Sequence, residues 1–161
     1  MTKILFLCTG NSARSLIAEG ILRHYGKSDY EAVSAGSQPT GRPNPAAIAV
    51  MAAKGIDTSF ARSKSWDEFA EPQDSPLDII ITVCGNAAEE TCPIWPGHPM
   101  SAHWGVEDPA AVQGTPEAIS AAFAKTYDEM HRRIMAFLAL DKTQDTAAFH
   151  EAIRAIGKMD A

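Results

Sequence analysis

The chain has 161 residues, 45% hydrophobic and 21% charged, the composition of one globular domain with a sizeable core, which excludes a disordered chain. Lys and Arg number 14 against 20 Asp and Glu, for a net charge of −6 at pH 7. Without a basic excess or a basic stripe no nucleic-acid partner is expected, whereas one small oxyanion needs only one local positive pocket.

The opening apolar run Ile4-Leu5-Phe6-Leu7 is too short for a signal or membrane segment, so a cytoplasmic placement without membrane contact is expected. Residues 3–7 predict a short buried strand and residues 8–15 a loop of small residues. Ile17, Ala18, Ile21, Leu22 and Tyr25 then recur at helical spacing, with Gly26 placed to end the helix. Residues 30–35 predict a second strand, followed by a turn-rich stretch over 36–45; residues 46–54 predict a helix that Gly55 stops.

Residues 63–69 are weakly patterned, and residues 77–83 form the clearest strand in the chain. After Cys84, Cys92 and a segment rich in Pro and Gly (Pro93, Pro96, Gly97, Pro99), residues 100–106 predict a fourth strand. Thr115-Pro116-Glu117 supplies a capping residue, a Pro at the first helical position and an early acid. The stripe Ile119, Phe123, Tyr127, Met130, Ile134, Phe137 and Leu138 carries that helix onward. Residues 144–156 predict a last amphipathic helix, within a C-terminal extension over 141–161. With no repeat or linker, one domain over 1–161 is expected. Alternating strands and helices predict an α/β fold, a four-stranded parallel sheet with helices on both faces.

The chemistry concentrates at Cys8-Thr9-Gly10-Asn11-Ser12-Ala13-Arg14-Ser15, between a predicted strand and a predicted helix. There a helix N-terminus points its N–H groups at the loop, and Gly10 with small neighbours lets successive amides converge as an anion nest. Arg14 adds a fork of donors matched to a tetrahedral oxyanion. Cys8 at the base of that nest would be held toward thiolate, and Ser15 is placed to donate to it. No Gly-Lys-Ser/Thr follows, so this is not a nucleotide phosphate loop. Three cysteines, Cys8, Cys84 and Cys92, form no secreted disulfide scaffold; they are core, metal ligands or redox groups. A zinc site would recruit Cys84, Cys92, His98 and His103, which hold no tight ligand pair, so no metal is expected.

The eight-residue loop resembles the phosphate-binding loop of the low-molecular-weight protein tyrosine phosphatase superfamily, which includes thiol-dependent arsenate reductases. Ser34-Ala35-Gly36, Thr82-Val83-Cys84 and His103-Trp104-Gly105-Val106-Glu107-Asp108-Pro109-Ala110 are similar to the reductase branch. The resemblance implies that the Thr9 to Arg14 backbone and the Arg14 side chain bind arsenate, with phosphate or sulfate as analogues. It also implies that Cys8 attacks and Asp108 protonates the departing oxygen. Phosphatases with this loop usually follow their Asp-Pro with an aromatic residue; here Ala110 stands in that place.

Reduction of arsenate takes two electrons, which a thiol pair supplies on forming a disulfide. The implied relay runs from Cys8 to Cys84 to Cys92, with electrons from an external thioredoxin or a glutaredoxin and glutathione system and no tightly bound cofactor. Were residues 84–92 helical, the two later cysteines would lie about 12 Å apart along the axis. A disulfide tolerates Cα separations of only about 7 Å, so a redox-gated rearrangement is expected. Some members bind potassium at positions corresponding to Asn11, Glu19, Ser34 and approximately Ser65, the last an acid in those members. The alternatives are a phosphatase hydrolysing monoesters through a Cys8 phosphoenzyme, or a non-catalytic arsenite- or metal-binding protein. A monomer is expected.

Overall fold

The computed structural model describes residues 2–70, 77–83 and 100–159. Strand β1 (Thr2–Cys8) leads into helix α1 (Arg14–Gly26), and β2 (Tyr30–Gly36) into α2 (Pro45–Ala53) and the short α3 (Asp67–Ala70). Then follow β3 (Ile79–Thr82), β4 (Met100–His103), a 3₁₀ turn (Pro109–Ala111), the long α4 (Pro116–Leu138) and α5 (Thr146–Ile156).

All four strands are parallel, in the order β2-β1-β3-β4. Burial on both faces explains why β1 reads as an unbroken apolar run rather than an alternating one. Ile4 and Phe6 face the main core with Ile17, Ile21, Phe123, Ile134 and Phe137, while Leu5 and Leu7 face a smaller core with Phe69, Leu77 and Ile80. The helix-covered parallel sheet thus agrees with the alternation in the sequence.

The boundaries differ from expectation in instructive ways. Strand β1 runs one residue further, to Cys8, and β2 to Gly36, because those two residues pair with each other. Helix α1 begins at Arg14, so Ser15 lies inside the helix rather than in the loop. Gly26 does not supply the left-handed residue after α1; Lys27 does, at φ 49°. Gly26 is required for closeness instead, since a Cβ there would meet Leu22 Cδ1 at 3.0 Å and Tyr30 Cδ2 at 3.1 Å. Strand β4 ends at His103, three residues early: Trp104 turns fully into the core, where its Nε1 donates to the Ile153 carbonyl at 2.9 Å. That bond docks α5 on the edge strand β4. Its tightness shows at Gly157, where any side chain would strike the His103 carbonyl.

Candidate active site

The central strand β1 delivers Cys8, 4% exposed, to the C-terminal edge of the sheet, where open α/β sheets place their ligands. Residues 9–13 then bridge to α1, whose N-terminus carries no side-chain cap among the described residues. The carbonyls of Thr9, Gly10 and Ser12 accept from the amides of Gln38, Thr40 and Asn44 at 2.9, 3.0 and 2.8 Å. Ser63 Oγ adds a bond to the Gly10 carbonyl at 3.0 Å. A trans peptide points its N–H opposite its carbonyl, so the amides of Gly10, Asn11 and Ala13 turn the other way, into the loop. Asn11 sits at φ 46°, the left-handed conformation that alternates with right-handed neighbours in an anion nest.

Gly36 makes this loop possible. A Cβ there would lie 2.5 Å from the Thr9 carbonyl oxygen, 2.9 Å from that of Cys8 and 3.0 Å from the Asn11 nitrogen. In the sequence this glycine appears as the end of the motif Ser34-Ala35-Gly36 and the start of the turn-rich stretch over 36–45. Its role depends on the register that sets it beside Cys8.

Arg14 opens α1 with its side chain mostly covered; Nη1 donates to the Val106 carbonyl at 3.2 Å, and Nη2 lies 3.7 Å from Asp108 Oδ2. Asp108, half exposed, accepts from the Ala110 amide through Oδ1 at 3.0 Å, which caps the 3₁₀ turn. Arg133 Nη1 donates to the Gly105 carbonyl at 2.9 Å, fixing the segment between Trp104 and Asp108 from behind. Two residues 94 apart in sequence, Arg14 and Asp108, thus meet at the loop. Ser15 is fully buried and its Oγ accepts from Asn11 Nδ2 at 2.7 Å. Cys84, Cys92 and His98 lie outside the described residues. The last described residue before Cys84 is Val83, whose amide donates to Leu7, next to Cys8, at 2.8 Å.

Behind the loop lies a buried polar network of which the sequence motifs mark only Asn11, Glu19 and Ser34. Asn11 Nδ2 also donates to Ser34 Oγ at 2.9 Å, and Ser34 donates to Glu19 Oε1 at 2.6 Å. Glu19 Oε2 accepts from Arg23 Nε at 2.7 Å. Lys64, unforeseen because a lone lysine in a weakly patterned stretch looks like surface, completes the set. Its amide donates to Asn11 Oδ1 at 3.0 Å and its Nζ to the Arg62 carbonyl at 2.9 Å. The same Nζ lies 3.4 Å from Ser34 Oγ and 3.9 Å from Glu19 Oε1. Burial pulls the Lys64 ammonium below its ordinary pKa, and the Glu19 carboxylate pushes it back up.

Asn11, Glu19 and Ser34 do converge, but they do not fit potassium. The place a metal cation would take between Glu19 and Ser34 is taken by an ammonium. Ser65, the fourth position, accepts from the Asp67 amide at 3.1 Å and so starts α3. Among the described residues no group of three His, Cys, Asp or Glu could hold a metal, and no helix is long and apolar enough to cross a membrane.

The second strand across the four-stranded parallel sheet, β1, thus ends in Cys8, and the helix that follows opens with Arg14. A family model described as low molecular weight phosphotyrosine protein phosphatase matches residues 3–147, and the chain belongs to that family. It is similar to an arsenate reductase of Shouchella clausii, 41% identical over 134 residues, covering 83% of this chain and 93% of that protein. Among solved structures it is similar to a low molecular weight protein tyrosine phosphatase from T. tengcongensis, at 25% identity and TM-score 0.65, over 82% of this chain and 94% of that one. It is also similar to a thioredoxin-dependent arsenate reductase from Corynebacterium glutamicum, at 25% identity and TM-score 0.56, over 84% of this chain and 62% of that one.

Proposed function

We propose that this enzyme reduces arsenate to arsenite through a relay of Cys8, Cys84 and Cys92. Its support is the Cys8 nest with Arg14 and Asp108 beside it, in a chain 41% identical to an arsenate reductase over 93% of that protein's length. The nest amides and Arg14 hold arsenate, and the Cys8 thiolate forms a sulfur–arsenic bond as a hydroxyl leaves with a proton from Asp108. Ser15 Oγ accepts from Asn11, which leaves its own proton for the Cys8 sulfur when that sulfur carries charge.

Cys84 then attacks the Cys8 sulfur. A Cys8–Cys84 disulfide forms, the sulfur–arsenic bond breaks, and its electron pair stays on arsenic, which departs as arsenite. Cys92 attacks Cys84, releases the Cys8 thiolate and leaves a Cys84–Cys92 disulfide for an external dithiol to reduce. The hydrogen bond from the Val83 amide to the Leu7 carbonyl supports Cys84 as the first to attack, since these two residues directly precede Cys84 and Cys8 in the chain. A thioredoxin is the favoured donor, because the reductase similar in structure is described as thioredoxin-dependent. Placement in the cytoplasm, with its reducing thiol pool, belongs to the same reading.

A second reading, hydrolysis of phosphate monoesters at Cys8, is favoured by the phosphatase similar in fold. Hydrolysis moves no electrons and has no use for Cys84 or Cys92, so two variants separate the readings. Cys84→Ser should abolish multiple turnover of arsenate with a thioredoxin system yet keep hydrolysis of a small aryl phosphate. Cys92→Ser should release one arsenite per molecule and stall with Cys8 and Cys84 oxidised together, as mass spectrometry of trapped disulfides would show. If both variants recycle arsenate like the parent protein, the relay is wrong.

A further inference from the structure

We infer that the Lys64 ammonium is a built-in cation that holds the oxyanion loop in its binding geometry, so that oxyanion binding needs no monovalent metal ion. The inference rests on the oxyanion-binding reading of the Cys8 loop. Lys64 and Glu19 are 7% and 1% exposed, so their charges face each other with little water between. A buried carboxylate without a partner is strongly destabilised, and one partner, Arg23, is half exposed and takes only Oε2. Lys64 faces the other oxygen, Oε1, to which Ser34 donates.

That oxygen is the one wired to the loop. Ser34 Oγ gives its proton to Glu19 and accepts from Asn11 Nδ2, so a charged Glu19 sets the direction of the whole chain of bonds. Asn11 is in turn the left-handed residue of the nest and the donor to Ser15. The Lys64 backbone grips the same residues: its amide donates to Asn11 Oδ1 and its carbonyl accepts from the Gly36 amide at 2.9 Å. Around Nζ stand a carbonyl (Arg62), a hydroxyl (Ser34) and a carboxylate (Glu19). Three oxygens of these kinds are hard ligands that suit a monovalent metal cation equally well once the lysine is shortened. Lys64 acts through Asn11, Ser34 and Glu19 and is a positioning residue.

The test measures inorganic phosphate binding by calorimetry and arsenate steady-state kinetics, in potassium chloride and in tetramethylammonium chloride at equal ionic strength. The parent protein should give the same Kd and KM in both salts. Lys64→Ser should raise both by about tenfold in tetramethylammonium with a smaller change in kcat, the size typical of positions that act on a site without touching its ligand. Potassium should restore its affinity saturably and raise its melting temperature, with no such effect on the parent protein. Lys64→Met fills the space without charge, so it should be defective in both salts.

Potassium dependence in the parent protein overturns the inference. So does parent-like affinity of either variant in tetramethylammonium, or a folded Lys64→Ser protein whose defect potassium does not repair. Should Lys64→Ser fail to fold in tetramethylammonium, recovery of the fold in potassium supports the inference; failure in both salts leaves Lys64→Met to decide it by the same affinity criterion. If the parent protein binds phosphate in neither salt, the reading of the loop fails, a result distinct from any change confined to the Lys64 variants.

Discussion

Replacing Gly36 by alanine tests whether the nest is positioned by contact with β2. The added Cβ would lie 2.5 Å from the Thr9 carbonyl oxygen, where ordinary contact begins at 3.4 Å, so one backbone must yield by about 0.9 Å. The three crowding atoms, of Thr9, Cys8 and Asn11, are all main chain and cannot swing aside as a side chain could. Overpacking of this kind costs about 1–3 kcal/mol, which for a chain of this size lowers the melting temperature by roughly 5 °C. The kinetic cost should be larger in proportion, because a displacement near 1 Å at a reacting centre costs roughly 10²-fold in rate. Gly55→Ala supplies the control. Gly55 is at φ 78° with nothing within 4 Å of a Cβ, so alanine there costs about 1 kcal/mol through backbone strain alone. Melting curves and arsenate kcat/KM on both variants decide the matter. Gly55→Ala should melt lower with parent kinetics, and Gly36→Ala should lose at least tenfold in kcat/KM. A Gly36→Ala protein with kcat/KM within threefold of the parent would show that β2 does not set the loop.

Arg14→Lys should cost on the order of 10²–10³ in arsenate kcat, since one ammonium cannot replace a planar fork at a developing oxyanion; circular dichroism should show the fold intact. The acid side of the stability curve carries a separate signature. Arg62 donates to both oxygens of Glu68, at 3.0 and 2.8 Å, and these bonds hold the Glu68 carboxyl below its usual range. A depressed carboxylate contributes stability above the unfolded pKa and loses it as pH falls through the folded one. Because the pair is exposed, Arg62→Gln should cost only about 0.5 kcal/mol at pH 7 and flatten the decline between about pH 5 and 3 in urea titrations.

What was legible in the sequence follows from what leaves a local mark. Strand β1, its loop and α1 are consecutive, so an apolar run, a small-residue stretch and a helical stripe display the nest without any long-range contact. Cys8 and Arg14 are visible for the same reason. Asp108 is not local: Arg14 and Asp108 meet because β4 lies two strands from β1 and its exit is pinned by Trp104 and Arg133. Only the similarity of the motif around Asp108 to a known family pointed there. Lys64 left no mark at all, since hydropathy scores a buried lysine like a solvated one. Its burial depends on a carboxylate 45 residues earlier, on the facing side of α1. The docking of α5 on β4 is equally silent, because the buried Ile153 and Ile156 announce an amphipathic helix but not the edge it covers.

The two faces of the loop explain one another. A nest concentrates N–H dipoles on its open side, and planar peptides then force the matching carbonyls outward, where each needs a donor. The amides of Gln38, Thr40 and Asn44 meet that demand along one flank. At the back, Asn11 in its left-handed conformation is satisfied by Ser15, Ser34 and the Lys64 amide, all buried. A buried acid beneath a site that binds anions would oppose the anion were its charge left uncompensated. The Glu19 carboxylate escapes that conflict because Lys64 and Arg23 bracket its two oxygens, so its field is cancelled locally while its hydrogen bonds persist. The network thereby orients Asn11 while its acid and its buried base leave little net charge behind the loop, which is what the proposed binding of an oxyanion there requires.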